Sequence, residues 1–204
     1  MAKLYFRYGT VGSAKTMNLL AVAHNYTQQE KRVLLIKPKV DTRFGVDIIK
    51  SRTGLFKTAD LLVGDDTQLT FDIFEGIDCV LVDEAQFIAP HIVDFLHELA
   101  ISKNVPVICY GLRTDFKTRF FAGSQRLMEL ADSIEEVKTT CFYCDRKAVF
   151  NMKLLNGVPT TEGPQIDLGA EEKYLPVCKS CYSTKVNPGA LRHEQFFRQS
   201  RLSD

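Results

Sequence analysis

Gly9-Thr10-Val11-Gly12-Ser13-Ala14-Lys15-Thr16 is the stretch on which the reading of this chain turns. Before it runs Lys3-Leu4-Tyr5-Phe6-Arg7-Tyr8, an alternating, aromatic-rich segment that predicts a first β-strand. After it, residues 17–26 predict a helix. Strand, glycine-bearing loop, Lys-Thr and helix, in that order, form the layout of a phosphate-binding loop. The reason is electrostatic: backbone N–H groups of the loop and the helix start converge on an anion, and the helix N-terminus favours negative charge. In such a loop Lys15 reaches the β- and γ-phosphates and the Thr16 hydroxyl holds Mg²⁺. One position departs from the pattern, which asks for Gly before the Lys where this chain has Ala14. A methyl group there crowds the approach of backbone to phosphate and strains the loop if φ is positive. Taken alone, the stretch reads equally well as a surface turn opening an ordinary helix.

Further along, Arg32-Val33-Leu34-Leu35-Ile36-Lys37 predicts a second strand whose unbroken apolar centre suits burial on both faces, as in a parallel sheet. Pro38 ends it, and Asp41-Thr42-Arg43-Phe44-Gly45 follows at its carboxyl end. Residues 46–60, with Lys50, Arg52, Gly54 and Lys57, have weak periodicity and read as a mobile surface excursion. Leu61-Leu62-Val63 reads as a short strand and Phe71-Asp72-Ile73-Phe74 as a short helix. Asp78-Cys79-Val80-Leu81-Val82-Asp83-Glu84 is the second strong signal. A buried strand that delivers an acidic pair to its carboxyl end, beside a phosphate loop, is a Walker B arrangement. Its first carboxylate orders the Mg²⁺ shell and the second is free to act on a nucleophile. Alone it is also just a strand followed by an acidic helix start; downstream of a Lys-Thr loop it makes a nucleotide site.

Pro90 opens a helix running to residue 102, with Ile92, Phe95, Leu96 and Leu99 at helical spacing toward the sheet. Val105-Pro106-Val107-Ile108-Cys109-Tyr110 is another buried strand, with Gly111-Leu112-Arg113-Thr114-Asp115-Phe116 hanging from its end. Residues 124–132 predict a helix and 134–139 the last strand. Strands alternating with helices imply a doubly wound α/β domain over residues 1–139, P-loop NTPase-like, with a mostly parallel sheet flanked by helices.

Two Cys-x-x-Cys pairs follow, Cys141/Cys144 and Cys178/Cys181, separated by roughly 30 residues. Four thiolates in two such knuckles are the ligand set of a tetrahedral structural Zn²⁺, with no open position for catalysis. The long spacer, clamped at its base, would form a lasso over residues 140–186. Within it, residues 149–154 predict a strand, Asn156-Gly157 a two-residue hairpin turn, and residues 165–169 a returning or extended segment. Cys79 and Cys109, inside apolar strands, read as small buried side chains. His24, His91, His97 and His193 are scattered without ligand spacing. Residues 187–204 read as a polar tail.

With 204 residues, 45% of them hydrophobic, and a net charge of +1, the composition is that of a globular chain. That balance argues against strong binding to a nucleic-acid polymer or an anionic membrane. The N-terminal apolar run is short and interrupted by Lys3 and Arg7, unlike a secretory signal, so the expected location is cytoplasmic. In that compartment paired cysteines are metal ligands more often than disulfides.

Together these residues resemble the type II thymidine kinases. The carriers are the loop at residues 9–16, Asp41-Thr42-Arg43-Phe44-Gly45, Val80-Leu81-Val82-Asp83-Glu84-Ala85-Gln86-Phe87, Cys109-Tyr110-Gly111-Leu112-Arg113-Thr114-Asp115-Phe116 and both cysteine pairs. The resemblance implies a P-loop α/β domain with a zinc-anchored lasso, assembled as a homotetramer, with dTTP as a feedback inhibitor. It implies transfer of the ATP γ-phosphate to the 5′-hydroxyl of thymidine. Under it Glu84 is the general base and Asp83 stands at the Mg²⁺ shell. Asp41, Thr42, Arg43, Ala85 and Gln86 lie on the nucleotide side with Gly9, Thr10, Val11, Gly12, Ser13, Ala14, Lys15 and Thr16. Phe116 packs on thymine, backbone of Gln165, Ile166, Asp167, Leu168 and Gly169 reads the base edge, and Tyr174 lies at the deoxyribose. Ala14, Asn151 and the Gln165-Ile166-Asp167-Leu168-Gly169 stretch depart from the family's pattern. Two other readings stay open at this level: a nucleotide-binding scaffold whose loop is blunted by Ala14, and a zinc-ribbon ATPase acting on nucleic acid.

Overall fold

The computed structural model describes residues 1–166 and 174–186. Its centre is a six-stranded sheet in the order β5-β2-β6-β7-β1-β8. The strands are β1 (Leu4–Tyr8), β2 (Val33–Pro38), β5 (Leu61–Val63), β6 (Cys79–Val82), β7 (Val107–Gly111) and β8 (Ser133–Glu136). Every neighbouring pair is parallel. The unbroken apolar runs have a plain cause. Alternate residues of each strand point to opposite faces, and both faces are covered.

On one face Leu35, Cys79, Leu81, Ile108 and Tyr110 meet Leu19, Leu20 and Ala23 of α1 (Lys15–Gln28). On the other, Leu4, Phe6, Leu34, Ile36, Val80, Val82, Val107 and Cys109 meet α2 (Pro90–Ser102) and α3 (Ala122–Leu130). α2 starts with Pro at its first position, where the missing N–H has no intrahelical partner to lose. Its Ile92, Val93, Leu96 and Leu99 are buried, as the helical spacing predicts, while Phe95 is half-buried and packs on Phe71 and Phe74.

Residues 46–60, expected as a mobile surface excursion of weak periodicity, have regular structure. They form an antiparallel hairpin of β3 (Ile48–Lys50) and β4 (Phe56–Thr58). Ile49 drops into the α1-side core, and Ser51 is buried. Strands of three residues are too short to display a period of two, and Lys50, Arg52 and Lys57 are interleaved with the two apolar anchors, Ile49 and Ala59.

Beyond β8, strands β9 (Phe150–Leu155), β10 (Val158–Thr160) and β11 (Tyr174–Val177) make a three-stranded antiparallel sheet in the order β10-β9-β11. The predicted turn joins the first two, with φ of 50° at Asn156 and 77° at Gly157, the left-handed pair that a two-residue hairpin demands. Met152 and Val177 pack against Cys141 and Cys178 beneath α4 (Lys179–Val186). Among the described residues, no helix is long and apolar enough to cross a membrane.

Candidate active site

Because the sheet strands are parallel, the loops leaving β1, β2, β6 and β7 emerge at one edge, where ligands of open α/β sheets bind. The loop after β1 is tied down at once: Gly9 N–H donates to the Gly111 carbonyl at 3.1 Å. A side chain at Gly9 would meet Ser13 Oγ at 2.4 Å and the Val137 carbonyl at 2.5 Å, so only glycine passes. Ala14 has φ 64° and ψ 22°, a left-handed conformation that costs a side-chain-bearing residue about 1–2 kcal/mol. The strain foreseen from the sequence is therefore present. Lys15 is buried, its ammonium donating to the Thr10 carbonyl at 2.8 Å and to Ser13 Oγ at 3.3 Å. Burial lowers its pKa to about 8, against the pull of the Glu84 and Asp83 carboxylates.

Thr16 Oγ1 donates to Asp83, 3.1 Å from Oδ1 and 3.3 Å from Oδ2. Phosphate loop and acidic pair thus share one cleft. Burial, and then the charge of Glu84, push Asp83 up to about 7. A hydroxyl and a buried carboxylate of raised basicity suit a hard divalent cation, which restores the charged form by supplying a counter-charge.

Glu84 follows with φ 47°, its carboxylate turned into the cleft. Arg43 Nη2 lies 2.6 Å from Oε1, and Gln86 Nε2 donates to Oε2 at 2.5 Å. Burial works to raise its pKa, but Arg43 and Lys15 outweigh it and hold Glu84 below the usual carboxylate range. Arg43 is aimed by Asp41, with Nε 2.7 Å from Oδ1 and Nη2 3.2 Å from Oδ2. Below them Lys37, fully buried at the end of β2, donates to the carbonyls of Gly45 at 2.9 Å and Ile48 at 2.7 Å and lies 3.8 Å from Asp41 Oδ2. The hairpin roofs the cleft with Lys50, Ser51, Arg52 and Thr53, and Val11 to Met17, Phe44 and Leu112 complete its walls.

Not every residue expected at the nucleotide is in that cleft. Thr42 is exposed and supplies a turn, its carbonyl accepting from Gly45 N–H at 3.2 Å. Ala85 is buried in the core between β7 and α3. Gln86 acts through its neighbours, holding Glu84 by one end while Oε1 accepts from Leu112 N–H at 2.9 Å.

On the other side of the P-loop stands Phe116, 1% exposed, with the Tyr174 ring 6.1 Å away and the Lys153 ammonium 4.9 Å above its face. Asp115 shapes this loop: Oδ1 accepts from Lys117 and Arg119 N–H at 2.8 and 2.9 Å, and Oδ2 from Gln165 Nε2 at 2.9 Å. Ile166 is 40% exposed. Asp167, Leu168, Gly169 and the tail at 187–204 lie outside the described residues.

Sequence reasoning missed the positioning roles of Lys37, Asp115 and Asn151. Each is a polar residue in an apolar or extended context, and a buried lysine at a strand end or a lone asparagine in a strand is the trace it leaves in sequence.

The four paired cysteines converge, their Sγ atoms all within 4.8 Å of one another. Cys144 Sγ is 3.7 Å from Cys178 Sγ and 3.8 Å from Cys181 Sγ. A tetrahedron with Zn–S near 2.3 Å has edges of about 3.8 Å, so the set fits Zn²⁺ and is far too wide for S–S bonds. N–H groups of Tyr143 and Cys181 point at Cys141 and Cys178 Sγ, each at 3.4 Å. Burial opposes it, yet such backbone donors bring Cys141 down to about 6, while burial and the facing thiols push Cys181 up to about 12; a bound cation would hold all four as thiolates.

A family model described as thymidine kinase matches residues 2–182. A curated thymidine kinase of Lactococcus lactis is 43% identical over 187 residues, covering 89% of this chain and 97% of that protein. One from Streptococcus gordonii is 43% identical over 185 residues, covering 89% and 96%. Among solved structures, a Pif1 helicase from Candida albicans aligns with a TM-score of 0.41 at 10% identity over 67% of this chain and 36% of its own, too loose a likeness to argue from.

Proposed function

The chain belongs to the thymidine kinase family, and from that premise we propose how its residues work as those of an ATP-dependent phosphotransferase. The substrates are ATP and thymidine, and the γ-phosphate passes to the 5′-hydroxyl. Glu84 is the general base that takes the hydroxyl proton; its low pKa keeps it ionised and ready to accept. Lys15, Arg43 and Arg52 face the phosphates and offset their charge. Thr16 and Asp83 would hold Mg²⁺, which when bound neutralises β- and γ-phosphate oxygens. Arg43 releases Glu84 toward substrate while Asp41 keeps the guanidinium in the cleft.

Thymidine lies on the other side of the P-loop, with its base on Phe116 and its sugar beside Tyr174. Gln165, Ile166 and the segment through Gly169 are the lasso whose backbone reads the base edge. Residues 140–186 form a lobe around structural Zn²⁺ at Cys141, Cys144, Cys178 and Cys181, apart from the nucleotide-binding part at 1–139. The working form is a cytoplasmic homotetramer restrained by dTTP.

The observation that carries this reading is the Thr16–Asp83 hydrogen bond, because it closes the phosphate loop and the acidic pair around one point. Lys15, Thr16, Asp83 and Glu84 all face that point, which favours a working enzyme over a blunted scaffold. A nucleoside panel with Mg·ATP, scored for monophosphate, tests it. Thymidine is expected to give the strongest product; intact ATP binding without monophosphate from any nucleoside would overturn it.

A further inference from the structure

We propose that Asn151 is a positioning residue that sets the phosphate side and the base side of the cleft from one buried point. This rests on the thymidine kinase reading and adds to it a residue to which that reading gives no part. Asn151 lies in β9, 4% exposed, opposite Pro176 of β11 and beside the fully buried Met152. Its side-chain Oδ1 accepts from Val11 N–H at 2.9 Å, and its Nδ2 donates to the Thr114 carbonyl at 3.0 Å. One partner is a donor and the other an acceptor, so they dictate which way the amide faces. Val11 belongs to the phosphate loop. Thr114 immediately precedes Asp115 and Phe116, which build the base side.

One side chain of the metal lobe therefore joins the loops that leave β1 and β7. Removing the amide leaves Val11 N–H and the Thr114 carbonyl to find partners by moving. A shift of that kind, on the scale of an ångström, is enough to spoil alignment between two reactants.

The test uses the full chain with calorimetric titrations of ATP alone and of thymidine alone, alongside zinc content and Tm. Asn151→Leu is close to the amide in size and removes both bonds. Asn151→Asp keeps the acceptor for Val11 and sets a carboxylate against the Thr114 carbonyl. At wild-type zinc content, Asn151→Leu is expected to weaken both ligands about tenfold, and Asn151→Asp to weaken thymidine about tenfold but ATP no more than about twofold. Wild-type affinity for both ligands in Asn151→Leu overturns the proposal. So does an equal loss of both ligands in Asn151→Asp, or zinc content that falls in step with binding, since either would make Asn151 a support of the metal lobe alone. If Asn151→Leu does not fold, the ligand split in Asn151→Asp decides by itself. Binding needs no phosphate transfer. A wild-type protein that binds both ligands yet makes no dTMP would sink the kinase reading and leave this one standing.

Discussion

The two sides of the P-loop, to which the proposed function gives phosphate and base, are built by opposite means. On the phosphate side, the loops bearing Lys15, Arg43 and Glu84 leave strands whose neighbours and both faces are buried, so the packing of the sheet fixes the chemistry. On the base side, Phe116 and Tyr174 come from the loop after β7 and from the three-stranded sheet beside the four cysteines. They are held by the hydrogen bonds of Asp115 and Asn151 and by the four converging thiols. A rigid side can stabilise charge without reorganising, whereas a side assembled from separate segments can be disturbed one tie at a time.

If the two sides are separable, changes on one should spare the other. Glu84→Gln is expected to lower kcat by about 10² to 10⁴ while ATP binding persists, since a base contributes on that order. Near-normal turnover in steady-state assays would remove Glu84 as the base. Cys178→Ser comes next. It should lose zinc and raise KM for thymidine by about 10- to 100-fold, with ATP affinity changed far less. Metal analysis that finds full occupancy would break the four-thiolate site, and equal losses for both substrates would break the separation.

The phosphate side can also be sharpened through pH. Lys15 has its pKa lowered to about 8 in the free protein. Below that value it is charged and ready for a phosphate; above it, ATP has to bring the proton back. ATP affinity should therefore stay level up to pH 8 and then fall by up to about tenfold per unit, whereas thymidine affinity should not follow. Titration calorimetry showing level ATP affinity to pH 9.5 would contradict it. The smallest effect belongs to Ala14→Gly. Relief of the left-handed strain should raise stability by about 1 kcal/mol, or Tm by about 2–4 °C, with kcat within about twofold. A lower Tm would mean that the alanine methyl group makes contacts outweighing its backbone cost.

The phosphate side was legible in the chain because its signals are local. Eight consecutive residues define the loop, an apolar run ending in Asp83-Glu84 defines the acids, and the parallel sheet brings them together by topology. The cysteine pairs were legible for the same reason. The hairpin within residues 46–60 was not legible because its three-residue strands expose most of their side chains and only Ile49 and the following Ala59 reach the core. Thr42 and Ala85 were carried to the nucleotide by their neighbours, although one faces solvent and the other the core. Asn151 left only the trace of a lone asparagine in a strand, and its partner Val11 is 140 positions away.

Lys37 has a consequence for how the cleft admits its ligand. Its ammonium sits under the Gly45 and Ile48 carbonyls at the root of the hairpin. The roof cannot swing from that root without stranding a buried cation, so breathing is confined to the apex, around the turn in which Ser51 N–H donates to the Leu55 carbonyl. In a deuterium-exchange experiment the apex amides should trade first, and those at the root should hold out nearly as long as the central strands.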